Sequence, residues 1–311
     1  MLAVVFPGQG AQKIGMALDF ARHSACARAV LEEADEAAGV PLSRWIAEGP
    51  EERLQRTEVT QPAILAASVA IYRVLEPELP APVTFLAGHS LGEYTALVAA
   101  GALELSDAIR LVRRRGALMQ EAVPEGEGAM QAVLGLPGEQ VERICTGIEG
   151  LVAPANYNAP VQTVIAGERS AVEAASNALR AAGATRLVPL PVSAPFHCAL
   201  MAPAMEKLTP MLAETTFRDV RVPVVSNVTA EPYREASRAR VLLREQICAP
   251  VRWVDCVRTL VREGVRVQLE VGPGRVLSGL AAKIDRSLRR AHVASLEERA
   301  PALACIGEAA A

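Results

Sequence analysis

Ser90 stands at the centre of Gly88-His89-Ser90-Leu91-Gly92, between an apolar run, Val83-Thr84-Phe85-Leu86-Ala87, and a helix-like run from Leu91 to Ala100. Strand, glycine, serine, glycine, helix is the pattern of a nucleophile elbow. The glycines let the backbone turn sharply, so the serine hydroxyl is thrust out of the turn. The N–H groups that open the following helix point at the same spot, where a developing oxyanion is stabilised. The chemistry implied is attack on an acyl carbon. A lone G-x-S-x-G carries little weight; the flanking strand and helix give it more.

A serine hydroxyl is a poor nucleophile until a base takes its proton. Of the four histidines, His89 lies inside the elbow, where its side chain is expected to point away from Ser90. His23 and His292 sit in polar surroundings that read as helical and solvated. His197 follows Pro195-Phe196 and precedes the apolar Cys198-Ala199-Leu200-Met201. A lone histidine is usually structural, but an elbow that needs a base makes His197 the candidate. The third member of a triad is harder to find. Between Ser90 and His197 the only aspartate is Asp107, which reads as a first-turn helix acid. Glu168 is the best carboxylate for a hydrolase triad. Without either, the pair is a Ser–His dyad whose imidazole is held by a neutral acceptor.

Arg115 falls in the middle of an apolar stripe, Ala108, Leu111, Val112, Leu118, Met119 and Ala122, while Arg113 and Arg114 point elsewhere. An inward guanidinium needs an anion or several acceptors. It is either a buried structural or snorkelling arginine, or a bidentate seat for a substrate carboxylate. The loop Pro7-Gly8-Gln9-Gly10-Ala11-Gln12 follows the first strand and invites a dinucleotide reading, but the G-x-G-x-x-G fingerprint fails at Lys13. Either it is a plain tight loop, or it brings its backbone N–H groups and Gln9 to the strand ends.

The elements that must position these residues alternate. Strand 2–6, helices near 24–38 and 61–75, strand 83–87 and helices 91–100 and 106–122 indicate an α/β sheet with mainly parallel strands. After Pro124-Glu125-Gly126-Glu127-Gly128 the texture changes. Strand 129–135, helix 138–146, strands 151–157 and 161–166, helix 169–182 and strand 185–191 give a βαββαβ order, the ferredoxin-like split pattern. Strand 222–226, helices 238–247 and 253–263, strand 265–271 and helix 275–290 resume the first texture. The expected architecture is an α/β-hydrolase-like large subdomain (1–126 and 194–311) with a parallel sheet, carrying an inserted ferredoxin-like small subdomain (127–193). The cleft between them is the natural place for a substrate.

Composition narrows the classes. The chain has 311 residues, 51% of them apolar, enough for a sizeable core and against disorder. Its 32 basic and 35 acidic residues give a net charge of −3, which argues against a nucleic-acid surface. No apolar run approaches the ~18 residues of a membrane span, and Met1–Gly8 reads as a strand rather than a signal peptide. Six scattered cysteines without a C-x-x-C pair fit a reducing compartment, so the expected location is the cytoplasm.

Taken together, Phe6-Pro7-Gly8-Gln9-Gly10, Thr60-Gln61-Pro62-Ala63, Gly88-His89-Ser90-Leu91-Gly92-Glu93-Tyr94, Arg115-Gly116, Asn156-Tyr157-Asn158, His197 and Glu270-Val271-Gly272-Pro273-Gly274 resemble the malonyl-CoA:acyl carrier protein transacylase family of fatty-acid and polyketide synthesis. The likeness runs over nearly the whole chain. It implies that Ser90, activated by His197, takes malonyl from malonyl-CoA and gives it to the phosphopantetheine thiol of an acyl carrier protein. It implies a dyad whose imidazole is oriented by Gln246, an oxyanion hole from the Gln9 and Leu91 N–H groups, and Arg115 on the malonyl carboxylate. Asn158 matches a position beside the acyl site, and Phe196 is a bulky neighbour that would crowd an α-methyl group. No metal or redox cofactor is implied. An acidic carrier protein calls for a basic rim, for which Arg113, Arg114, Lys283, Arg286, Arg289 and Arg290 are candidates. The competing reading is a serine esterase or thioesterase with Glu168 as triad acid.

Overall fold

The computed structural model describes residues 1–191 and 194–310. Its described residues form ten strands: β1 (Leu2–Phe6), β2 (Val83–Gly88), β3 (Gly128–Leu134), β4 (Val152–Ala159), β5 (Gln162–Glu168), β6 (Arg186–Pro189), β7 (Val224–Val225), β8 (Pro232–Tyr233), β9 (Val267–Val271) and β10 (Arg289–Val293). Six build one sheet in the order β10-β9-β1-β2-β7-β8, parallel except for the edge pair β7–β8.

β1 sits inside this sheet and is buried along its whole length, which is why it reads as an unbroken apolar run. Leu2, Val4 and Phe6 face the helices Thr57–Leu75, Leu91–Ala99 and Leu105–Glu121. Ala3 and Val5 face Trp253–Arg262 and Val276–Ile284. Burial on both faces fixes the strand ends, and with them the loops that carry Gln9 and Ser90.

The other four strands form an antiparallel sheet in the order β4-β5-β3-β6, covered by Gly138–Thr146 and Arg169–Ala181. That order with two helices is the ferredoxin-like arrangement the βαββαβ pattern predicts. The two sheets are stitched where Tyr157 N–H donates to the Val251 carbonyl (2.9 Å) and Val251 N–H to the Ala155 carbonyl (2.9 Å).

Several stretches differ from the sequence expectation, which also lacked the helices Leu42–Glu48 and Leu296–Ala310. The helix expected over 275–290 ends at Ile284, and residues 289–293 form β10 beside β9. Arg289, Arg290 and His292 gave this parallel edge strand a polar face, so it did not read as a buried strand. His292 is therefore on a strand, with Nε2 3.1 Å from Glu298 Oε1, and not in a solvated helix. The helix Ala202–Glu214 was not anticipated after His197. The expected boundary between small and large units, 193/194, falls at residues 192–193, which lie outside the described residues.

Candidate active site

The elbow forms because two glycines leave no room for anything else. A Cβ on Gly88 would lie 2.0 Å from the Gly92 carbonyl oxygen, and one on Gly92 would lie 2.1 Å from that of Phe6. β2 and the helix Leu91–Ala99 can pack at this distance only without side chains. Between them Ser90 adopts φ 53° and ψ −106°, a conformation a non-glycine residue keeps only when its surroundings impose it. Gly8 serves the same packing from β1, since its Cβ would meet the His89 carbonyl at 2.5 Å.

The turn aims Ser90 Oγ at His197 Nε2, 2.7 Å away. His197 Nδ1 lies 2.9 Å from the backbone carbonyl of Gln246. A carbonyl can only accept, so Nδ1 carries the proton and Nε2 is left to accept from the serine hydroxyl. Burial, followed by the Arg115 charge, pushes the imidazole down to about 3, so it is neutral at ordinary pH and competent as a base. The depressed value means the basic form persists as pH falls. His197 ring resonances are therefore expected to stay unchanged from about pH 8 to about pH 5. A protonation step near 6.5 in an NMR titration would contradict this.

Glu168 is not the partner of His197. It is exposed at the end of β5, where its carboxylate accepts from Leu151 N–H at 3.1 Å. The acceptor that holds the imidazole is a neutral main-chain oxygen. Glu168→Ala is accordingly expected to leave turnover within about twofold of the parent, whereas loss of a triad acid costs on the order of a thousandfold or more. Steady-state turnover of the purified variant decides between them.

Arg115 lies in the helix Leu105–Glu121 and is 1% exposed. Its Nη1 donates to Gln61 Oε1 (2.9 Å), and its Nη2 reaches both Gln246 Oε1 (3.0 Å) and Ser90 Oγ (3.1 Å). The guanidinium also lies 5.5 Å from the Tyr94 ring centre, and Nε has no hydrogen-bond acceptor among the described residues. Among the described residues no carboxylate pairs with it directly, so a buried cation is held by neutral amides beside the serine. An anion is what such a cation lacks.

Gln9, Gln61, His89, Ser90, Leu91, Arg115, Met119, Met130, Asn156, Leu190, Phe196 and His197 line a cavity of about 100 Å³. Among the described residues, neither the Gln9 nor the Leu91 N–H has an acceptor. The Ser90 N–H is taken by Asn227 Oδ1 at 2.6 Å. Gln9 is tied back through its side chain, whose Nε2 donates to Thr57 Oγ1 at 3.3 Å. Phe196 is 7% exposed and forms part of the wall. Asn158 stands one step back: Asn156 lines the cavity, and Asn158, two residues along β4, meets His89 Nε2 at 2.8 Å. His89 turns from Ser90 toward this asparagine, yet its ring still reaches the cavity wall.

Sequence reasoning missed Gln61, Glu93, Asn227 and Tyr233 as parts of this site. Glu93 is fully buried, and desolvation pushes its carboxyl up to about 7 against the bonds it accepts. Gln61 and Glu93 stood within the motifs of the resemblance, and a glutamine and a glutamate inside otherwise apolar helices are polar groups in need of partners.

A two-unit α/β fold with a serine elbow, a neutral histidine within hydrogen-bond reach of that serine and, among the described residues, no carboxylate on the imidazole is the arrangement of an acyl-transfer site. The chain belongs to the acyl transferase domain family, whose pattern matches residues 3–303. It is 47% identical over 288 residues to the malonyl CoA-acyl carrier protein transacylase of Escherichia coli K12, covering 92% of this chain and 93% of that protein. The Bacillus subtilis protein of the same name is 45% identical over 299 residues, covering 95% and 94%. Among solved structures, a malonyl-transacylase in complex with its type II PKS acyl-carrier protein superposes with a TM-score of 0.94 at 46% identity, covering 97% of this chain and 99% of that one. The Coxiella burnetii transacylase superposes at 0.95 with 40% identity, covering 98% of each.

Proposed function

We propose that this chain is a malonyl-CoA:acyl carrier protein transacylase of fatty-acid or polyketide synthesis, working through a malonyl-serine intermediate. Ser90 Oγ attacks the thioester carbonyl of malonyl-CoA as its proton passes to His197 Nε2. The oxyanion is received by the Gln9 and Leu91 N–H groups. Collapse breaks the C–S bond, and the CoA sulfur leaves with the proton from His197. In the second half the phosphopantetheine thiol of an acyl carrier protein gives its proton to His197 and attacks the ester; the ester C–O bond breaks, and the Ser90 oxygen takes that proton back from His197. Arg115 holds the malonyl carboxylate throughout, Phe196 and the His89–Asn158 pair shape the acyl pocket, and Gln246 orients the base. The transfer itself calls for no metal or redox cofactor, and unpaired cysteines suit a cytoplasmic setting. No helix of the described residues is long and apolar enough to cross a membrane.

The observation that carries the reading is the buried Arg115 guanidinium 3.1 Å from the Ser90 hydroxyl, both lining one cavity. An esterase of neutral acyl groups has no use for it. A fixed carboxylate also helps the ester outlast its exposure to water until the second thiol arrives. The test is intact mass after mixing with malonyl-CoA, followed by addition of holo acyl carrier protein. A malonyl adduct on Ser90 that discharges to the carrier supports the reading; no adduct, or loss to water alone, refutes it.

A further inference from the structure

We infer that Asn227 is a positioning residue for acyl transfer: its carboxamide braces the Ser90 turn from both sides and removes the Ser90 N–H from the oxyanion site. The inference deepens the transacylase reading and rests on it. Asn227 Oδ1 accepts from Ser90 N–H at 2.6 Å, while its Nδ2 donates to the Gly88 carbonyl at 2.8 Å. One planar amide thus spans the turn whose central residue has φ 53°. Asn227 is itself fully buried, and its own N–H is anchored to Glu93 Oε2 at 3.0 Å.

Glu93 ties this brace to the rest of the site. Its Oε2 also accepts from Gln246 Nε2 (2.7 Å), and its Oε1 accepts from the Tyr233 hydroxyl (3.1 Å). The same Gln246 Nε2 lies 3.1 Å from the Ser90 carbonyl, and Gln246 Oε1 accepts from Arg115. The elbow, the residue whose carbonyl orients His197 and the guanidinium therefore hang on one buried carboxylate. Without the Asn227 amide, Ser90 loses what holds it outside the favoured backbone regions, and Oγ moves relative to His197 Nε2. The Ser90 N–H also becomes a free donor in the wrong direction. Because Gln9 and Leu91 are untouched, substrate binding survives while the chemistry slows.

The test is rapid-quench intact mass of parent and Asn227→Ala with malonyl-CoA, alongside thermal melts followed by circular dichroism. The acylation rate at saturating malonyl-CoA is expected to fall about 10- to 100-fold, with the half-saturating concentration within about twofold of the parent. Discharge of the adduct to holo carrier protein should slow by a similar factor, since both half-reactions use the elbow. Asn227→Ser is too short to span the turn and carries the same expectation should the alanine variant not fold. A folded variant that acylates at the parental rate, or whose loss lies wholly in the half-saturating concentration, overturns the inference. A parent that forms no malonyl adduct overturns the transacylase reading, and this inference with it.

Discussion

Ser90→Ala is expected to leave no acyl adduct after exposure to malonyl-CoA and to cut transfer by about a thousandfold or more. His197→Ala should do nearly the same. In the proposed mechanism the two side chains act as one unit: the hydroxyl is reactive only while Nε2, 2.7 Å away, takes its proton. Removing the second member after the first therefore costs little more, and the double variant should match either single one. Intact mass reports the adduct, and a carrier-dependent transfer assay reports the rate. An adduct that persists in Ser90→Ala would place the nucleophile elsewhere. Additive losses in the double variant would show that His197 does not act through Ser90.

Arg115→Ala separates malonyl from acetyl. On the proposed reading, the malonyl carboxylate enters the pocket beside Ser90 and meets a guanidinium that is already buried. With alanine there, the same carboxylate is buried without a partner. Leaving one member of a buried charge pair alone costs about 3–5 kcal/mol, or roughly two to four orders of magnitude in kcat/KM for malonyl-CoA. Acetyl-CoA carries no charge in its acyl group, so its transfer is expected to be spared or improved. Competition between the two thioesters, read by adduct mass, gives the ratio directly. Equal loss for both would mean that Arg115 only supports the fold. Since Gln61 and Gln246 lose their shared donor, a thermal melt of the variant belongs with the kinetics.

These residues were legible in the sequence to different degrees, for physical reasons. The elbow is a local event: strand, glycines and helix are contiguous, and close packing leaves no alternative to glycine at 88 and 92. Arg115 stood out because a helix repeats every 3.6 residues, which places it among leucines. His197 was found by need, as the one histidine with an apolar setting. Its orienting partner has no such signal, because it is a main-chain carbonyl that every residue possesses; only the family resemblance pointed to Gln246. Glu93 and Asn227 meet across 134 positions, so no spacing rule relates them. β10 was misread because an edge strand with Arg289, Arg290 and His292 shows neither an apolar run nor clean alternation.

The near contact between β1 and the elbow has a consequence for the young chain. His89 N–H donates to the Phe6 carbonyl at 3.1 Å, and Phe6 stands opposite Gly88 in the parallel pairing of β1 with β2. The two N–H groups assigned to the oxyanion thus come from segments some eighty positions apart and become neighbours only when that register is set. On that assignment, an immature or slipped molecule carries the serine but no place for the oxyanion, and correct strand pairing is the licence for chemistry.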